Sequence, residues 1–137
     1  MNEFYAVIDT NVIVSAFLKS GSIPDKILRH ALTGSIIPLL NDEIIEEYRD
    51  VLLRNQFGFD RKTIEIFINE LSKRGIFLDR EKTDEKFLDL DDIVFYEIVL
   101  SARNAVFAYL ITGNKRHYPF KPFVVMPREM LNIIESN

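Results

Sequence analysis

Hydrophobic positions along this chain follow two periods. Four short apolar runs, Phe4–Val14, Ile36–Leu40, Ala108–Thr112 and Phe123–Val125, are nearly continuous, as strands buried on both faces are. Between them apolar residues recur every three or four positions: Ile27, Leu28, Ala31 and Leu32; Ile44, Ile45, Tyr48, Val51 and Leu52; Ile64, Phe67, Ile68 and Leu71; Phe95, Ile98 and Val99. That spacing predicts amphipathic helices. Ser22, Asn41 and Asp60 stand where N-caps belong, and Pro24 and Asp25 suit a first turn. Gly34, Gly75 and Asn104 read as stops, and Pro127 starts a last helix that ends near Ile134. Phe4–Val14 reads as a first strand running on toward a helix. Pro38 weakens its strand, and Ile76–Leu78 is either a brief strand or an extended connection.

Strands alternating with helices require crossover connections, hence a parallel sheet. The expected fold is a three-layer α/β/α sandwich with a central parallel sheet, built as one domain over residues 1–137. No repeat, linker or low-complexity tract interrupts it. Neither GxGxxG nor GxxxxGK[ST] occurs, which removes the main support for dinucleotide or P-loop nucleotide binding.

Composition narrows the chemistry. There is no cysteine, so disulfides, thiolate catalysis and cysteine-ligated zinc are excluded. No apolar run has the length of a membrane span, and the N-terminus reads straight into a strand; the expected location is the cytoplasm. The net charge of −4 argues against gripping nucleic acid by bulk charge, yet is compatible with an acidic site neutralised by a cation.

The apolar run Val7-Ile8-Asp9-Thr10-Asn11-Val12 carries a carboxylate, which is costly in such surroundings unless its charge is compensated. In parallel sheets the mouth beyond the carboxyl ends of the strands is where ligands bind. Asp9 and Asn114 at strand ends and Asp92 at a helix start belong at one such edge, with Glu47 in mid-helix a fourth candidate. Singly, each has an ordinary role. Asp89, Asp91 and Asp92 complement a helix dipole, by roughly 0.3–1 kcal/mol each; Asn114 is a turn residue and Glu47 a solvated helix position. Jointly, carboxylates gathered without a counter-ion repel one another, and a hard divalent cation resolves this. Mg²⁺ or Mn²⁺ on oxygen ligands, with waters retained, suits hydrolysis of a phosphodiester.

The chain resembles the PIN-domain family, closest to the small PIN ribonucleases that act as toxins in toxin–antitoxin pairs (VapC-like). The resemblance spans essentially the whole chain. Its motifs are Asp9-Thr10-Asn11-Val12, Glu46-Glu47-Tyr48 with Val51-Leu52, Asp89-Leu90-Asp91-Asp92, and Thr112-Gly113-Asn114-Lys115. It implies a metal-dependent endoribonuclease with Mg²⁺ or Mn²⁺ held by Asp9, Glu47 and Asp92 and a fourth site position at Asn114. It also implies an RNA substrate, an antitoxin partner and a homodimer. The fourth position is often Asp in the family; the neutral Asn114 favours one tightly held ion over two. Among the three carboxylates of 89–92, pattern and helix phase favour Asp92, with Asp91 in reserve.

Around this core, Thr10, Asn11, Asp91 and Thr112 are candidates to orient the acids or hold a water behind them, with Ser15 a weaker one. For Thr10 and Asn11, hydrogen bonding within the strand-to-helix turn is an equal alternative. Lys115, Arg116 and His117 are candidates to contact RNA phosphates, against the alternative of a solvated loop. His30 reads as structural. Phe57, Phe59, Phe67, Phe77 and Phe87 read as core or interface rather than as stacking platforms. Two other readings stay open: a PIN-like module that binds RNA or protein without cutting, and a structure-specific DNA nuclease.

Overall fold

The computed structural model describes residues 3–136. Five parallel strands, β1 (Phe4–Ile8), β2 (Ile36–Leu40), β3 (Ile76–Phe77), β4 (Ala108–Ile111) and β5 (Val124–Val125), form one sheet in the order β3-β2-β1-β4-β5. Six helices flank it: α1 (Thr10–Leu18), α2 (Ile23–Thr33), α3 (Asp42–Leu52), α4 (Arg61–Arg74), α5 (Ile93–Arg103) and α6 (Pro127–Glu135). The expected α/β/α sandwich with a parallel sheet is present. Ala6, Val7, Ile8, Leu110 and Ile111 on the two central strands are sealed from solvent, as the continuous apolar runs require.

The chain starts at β1, winds outward through β2 to β3, and returns to the other side of β1 for β4 and β5. Right-handed crossovers in the two directions lay their helices on opposite faces of the sheet. Beyond the carboxyl ends of β1 and β4 the connections therefore diverge and leave a crevice.

One boundary differs from expectation. The first strand ends at Ile8, and Thr10–Leu18 is helix rather than strand. Asp9 is extended (φ −63°, ψ 144°), and its carbonyl accepts the amide of Val12 at 3.0 Å. Val12, Ile13 and Ala16 are all buried. Burial of a helical stripe outweighs the strand preference of Val and Ile, which amounts to about 1 kcal/mol or less per residue.

Local signals hold elsewhere. Ser22, Asn41 and Asp60 accept the amides of Asp25, Ile44 and Thr63 at 3.3, 2.8 and 3.0 Å. Gly34 closes α2 at φ 98°, the left-handed conformation that favours glycine. Gly75 ends α4 differently, at φ −84°. Its reason is space: a Cβ there would stand 2.4 Å from Leu40 Cδ1 and 2.9 Å from the Pro38 carbonyl oxygen. Pro38 is tolerated in β2 because β3 pairs only with Leu39 and Leu40, so on that side it has no ladder bond to lose. The same pairing makes Ile76–Phe77 a short edge strand, with Phe77 half-exposed.

Between β3 and α5 the chain crosses α5 as an irregular strap tied down by several side chains. Glu97, 5% exposed on α5, accepts Arg80 Nε at 2.7 Å and the Thr83 amide at 2.8 Å. Arg80 also reaches Glu43 at 2.8 Å, and Tyr96 donates to Glu85. Phe87 then packs edge-on against the rings of Tyr96 and Tyr118. This strap delivers the chain to Asp89–Asp92.

Candidate active site

Asp9 stands at the carboxyl ends of the paired strands β1 and β4. Ile8 pairs in register with Ile111, and the Asp9 amide donates to the Ile111 carbonyl at 2.9 Å, so the residues after both strands are side by side. Three side chains donate to one oxygen of Asp9, Oδ2: Thr112 Oγ1 at 2.8 Å, Tyr118 Oη at 3.0 Å and Asn11 Nδ2 at 3.5 Å. Asp9 is 5% exposed, and this desolvation pushes its pKa up against those bonds and the nearby amides of Thr10 and Asn11.

The other acids approach from different elements. Glu47 lies half-buried on α3; burial pushes its pKa up, the Thr10 hydroxyl opposes this, and the charges of Asp91 and Asp9 add to the rise. Asp92 ends a 3-10 turn (Leu90–Asp92) at the start of α5, and its side chain is 13% exposed. Burial raises its pKa to about 6, with Asp9 the next largest cause and Asp89 and Glu47 contributing, while His117 opposes. Asp9 thus acts electrostatically on Glu47 and Asp92 alike, so the sheet edge gathers the three expected acids. Asp91 is exposed; its amide is held by Asp89 Oδ1 at 2.9 Å.

Among the described residues, no three His, Asp or Glu side chains form by themselves a group able to hold a metal ion. The donors present nevertheless fit a hard cation that keeps its own waters. All are oxygens, and Asp92 Oδ2 is buried at this mouth with no hydrogen-bond partner among the described residues. His117 Nδ1 stands 3.4 Å from Asp92 Oδ2, an ionic contact only when the imidazole is protonated.

The remaining candidates have definite partners. Thr112 is fully buried; its hydroxyl accepts the Asn114 amide at 3.1 Å while donating to Asp9. Asn11 Oδ1 accepts the Gly113 amide at 3.0 Å, clamping the loop after β4 to the start of α1. Asn114 Oδ1 caps the turn 115–117 through the Arg116 amide at 3.2 Å. Lys115 forms an ion pair with Glu129 on α6 at 3.1 Å, and Arg116 is exposed. Ser15 lines a shallow hollow of about 190 Å³ with Asn11, Gly113 and Asn114. Half-buried His30 supplies its carbonyl to the cap of α2.

Sequence reasoning passed over Tyr118 and Glu97, and it named Tyr48 only as a helix-face and motif residue, without its hydroxyl bond to the Ile8 carbonyl at 2.5 Å. Tyr48 and Glu97 look like ordinary helix residues in the sequence, and Tyr118 follows a loop; no spacing rule reports their long-range partners.

A pH dependence follows from Asp92. Its folded-state pKa lies above its unfolded value near 4, so its favourable contribution is present when protonated and is lost as pH rises through about 6. In chelator, the stability of Asp92→Asn relative to the unmodified chain is expected to rise between pH 4 and pH 7, by about 1–2 kcal/mol after allowance for solvent screening at the open mouth. Denaturant titrations at the two pH values measure it; a constant difference refutes it.

A PIN domain family model matches residues 5–116. No curated protein and no solved structure gives a significant match.

Proposed function

The chain belongs to the PIN-domain family, whose members are in general metal-dependent nucleases, and from that premise we propose that it is a Mg²⁺- or Mn²⁺-dependent endoribonuclease, the toxin of a toxin–antitoxin pair. The supporting observation is the convergence of Asp9, Glu47 and Asp92 at the carboxyl ends of β1 and β4, where burial pushes all three pKa values up and the charge of Asp9 adds to the rise at Glu47 and Asp92. Such a group favours a bound cation over three free carboxylates.

In this reading Asp9, Glu47 and Asp92 hold the cation, which when bound neutralises charge on the phosphodiester and activates water. Thr112 fixes the Asp9 carboxylate through Oδ2. Arg116 and His117 meet the phosphates flanking the scissile bond, and Lys115 joins them by exchanging Glu129 for phosphate. Asn114 shapes the rim by capping the turn that carries these three residues. Asn11 and Thr10 support the acids, while exposed Asp91 adds negative charge near Glu47. An antitoxin and a second copy of the chain are the proposed protein partners; exposed Leu18 and Ile66 supply apolar surface for them. Among the described residues no helix is long and apolar enough to cross a membrane, which is compatible with the proposed cytoplasmic location.

A second reading, a PIN module that binds without cutting, is favoured by the neutral Asn114 and by the absence of a closed three-ligand metal group among the described residues. A panel of matched RNA and DNA, single-stranded and duplex, incubated with Mg²⁺, Mn²⁺ or chelator, separates the readings. Cation-dependent cleavage confined to RNA is the expected result. Cleavage of DNA alone redirects the assignment to a DNA nuclease, and binding without cleavage of any substrate to the non-catalytic module.

A further inference from the structure

We propose that Tyr118 is a positioning residue for the cation site, holding the Asp9 carboxylate in one orientation through its hydroxyl. The inference rests on the metal-dependent reading above and deepens it.

Tyr118 lies beyond the turn that Asn114 caps, and its side chain returns into the core, where the residue is 6% exposed. Its hydroxyl donates to Asp9 Oδ2 at 3.0 Å. Thr112 donates to that same oxygen from the end of β4. Two hydroxyl donors from different parts of the loop therefore converge on one side of the carboxylate. Among the described residues the side-chain bonds to Asp9 all end on Oδ2, which leaves Oδ1 free of side-chain donors there. A carboxylate so held presents one defined oxygen to a ligand instead of rotating between two.

The hydroxyl is suited to this task. A phenol is an O–H donor at neutral pH, and this one is buried beside the carboxylate it bonds. An O–H donor also strengthens the hold on the ionised carboxylate, the form that cations bind. The ring itself is gripped by Phe87 of the strap, with centroids 6.0 Å apart and planes at 88°. The strap that delivers Asp92 thus also steadies the residue that orients Asp9. Side chains that orient metal ligands from behind commonly change affinity by about 10–100-fold when lost.

The test is calorimetric titration of Mn²⁺ into the full chain and into Tyr118→Phe, which keeps the ring and its packing on Phe87 and removes only the hydroxyl. Circular dichroism and Tm check folding. Tyr96→Phe is the control: it removes another buried phenol bonded to a carboxylate, Glu85, which is not among the proposed ligands. The expected result is Mn²⁺ affinity about 10–100-fold weaker in Tyr118→Phe and within twofold of the unmodified chain in Tyr96→Phe. Unchanged affinity in folded Tyr118→Phe overturns the proposal, as does an equal loss in both variants, which would be general loosening. A folded unmodified chain that binds no Mn²⁺ overturns the metal-dependent reading itself and this inference with it.

Discussion

Asp9→Asn is expected to lower RNA cleavage by about 10³-fold or more while the protein stays folded. The substitution keeps the size of the side chain and one carbonyl-type oxygen to accept from Thr112 and Tyr118. It removes the charge at the point where β1 and β4 release the chain side by side. Asp9 is also the acid that acts electrostatically on both Glu47 and Asp92, so its neutralisation relieves their repulsion and lowers their need for a cation. Metal-free Asp9→Asn should therefore be no less stable than the unmodified chain apart from the rearranged amide, while its Mn²⁺ binding disappears. Initial rates on a cleavable RNA, with Tm measured on the same samples, check this. Cleavage within tenfold of the unmodified chain would remove Asp9 from the proposed chemistry.

The largest stability effect outside the apolar core is expected from Glu97→Ala, at about 2–4 kcal/mol. Glu97 is 5% exposed and accepts from both Arg80 and the Thr83 amide. Truncation leaves the Thr83 amide without its acceptor and the Arg80 guanidinium with only Glu43. Removing one member of a buried pair costs the desolvation of what stays behind, which exceeds the net worth of the pair. The figure is held below the upper end of that range because the Arg80 side chain is 35% exposed. The strap then loses its main tie to α5, so Asp92 is held less firmly and activity should fall with stability. Glu97→Gln retains an acceptor for Thr83 and should lose less. Urea unfolding of the three proteins gives the ranking; a Glu97→Ala variant within 0.5 kcal/mol of the unmodified chain, roughly the effect of a plain surface change, would refute the role of the tie.

Much of the fold was legible in the sequence because its local signals agree with its tertiary structure. The caps at Ser22, Asn41 and Asp60 and the apolar face of α3 (Ile44, Ile45, Tyr48, Leu52) are local chemistry that the fold leaves undisturbed. The start of α1 was not legible. Val12, Ile13 and Val14 carry strand preference, and only contact with the rest of the core makes the helical stripe the better burial. Gly75 was readable as a helix stop but not as a close approach to Leu40 and Pro38, since that distance exists only after β2 and α4 pack.

The candidate site divides in the same way. The sequence by itself determined which groups could do chemistry: an Asp set into an apolar run, further carboxylates at helix positions, oxygen donors throughout, and no thiol. It also determined a parallel sheet, and hence that strand-end residues share an edge. Only the tertiary structure decided that Asp9 faces Thr112 and Tyr118, 103 and 109 positions away, that Asn114 spends its carbonyl on a turn, and that Lys115 is paired with Glu129. The physical reason is range. Capping and periodicity act over three or four residues along one backbone. The bonds that aim a carboxylate join segments brought together by the order of the strands, and strand order is settled by the burial of the whole core.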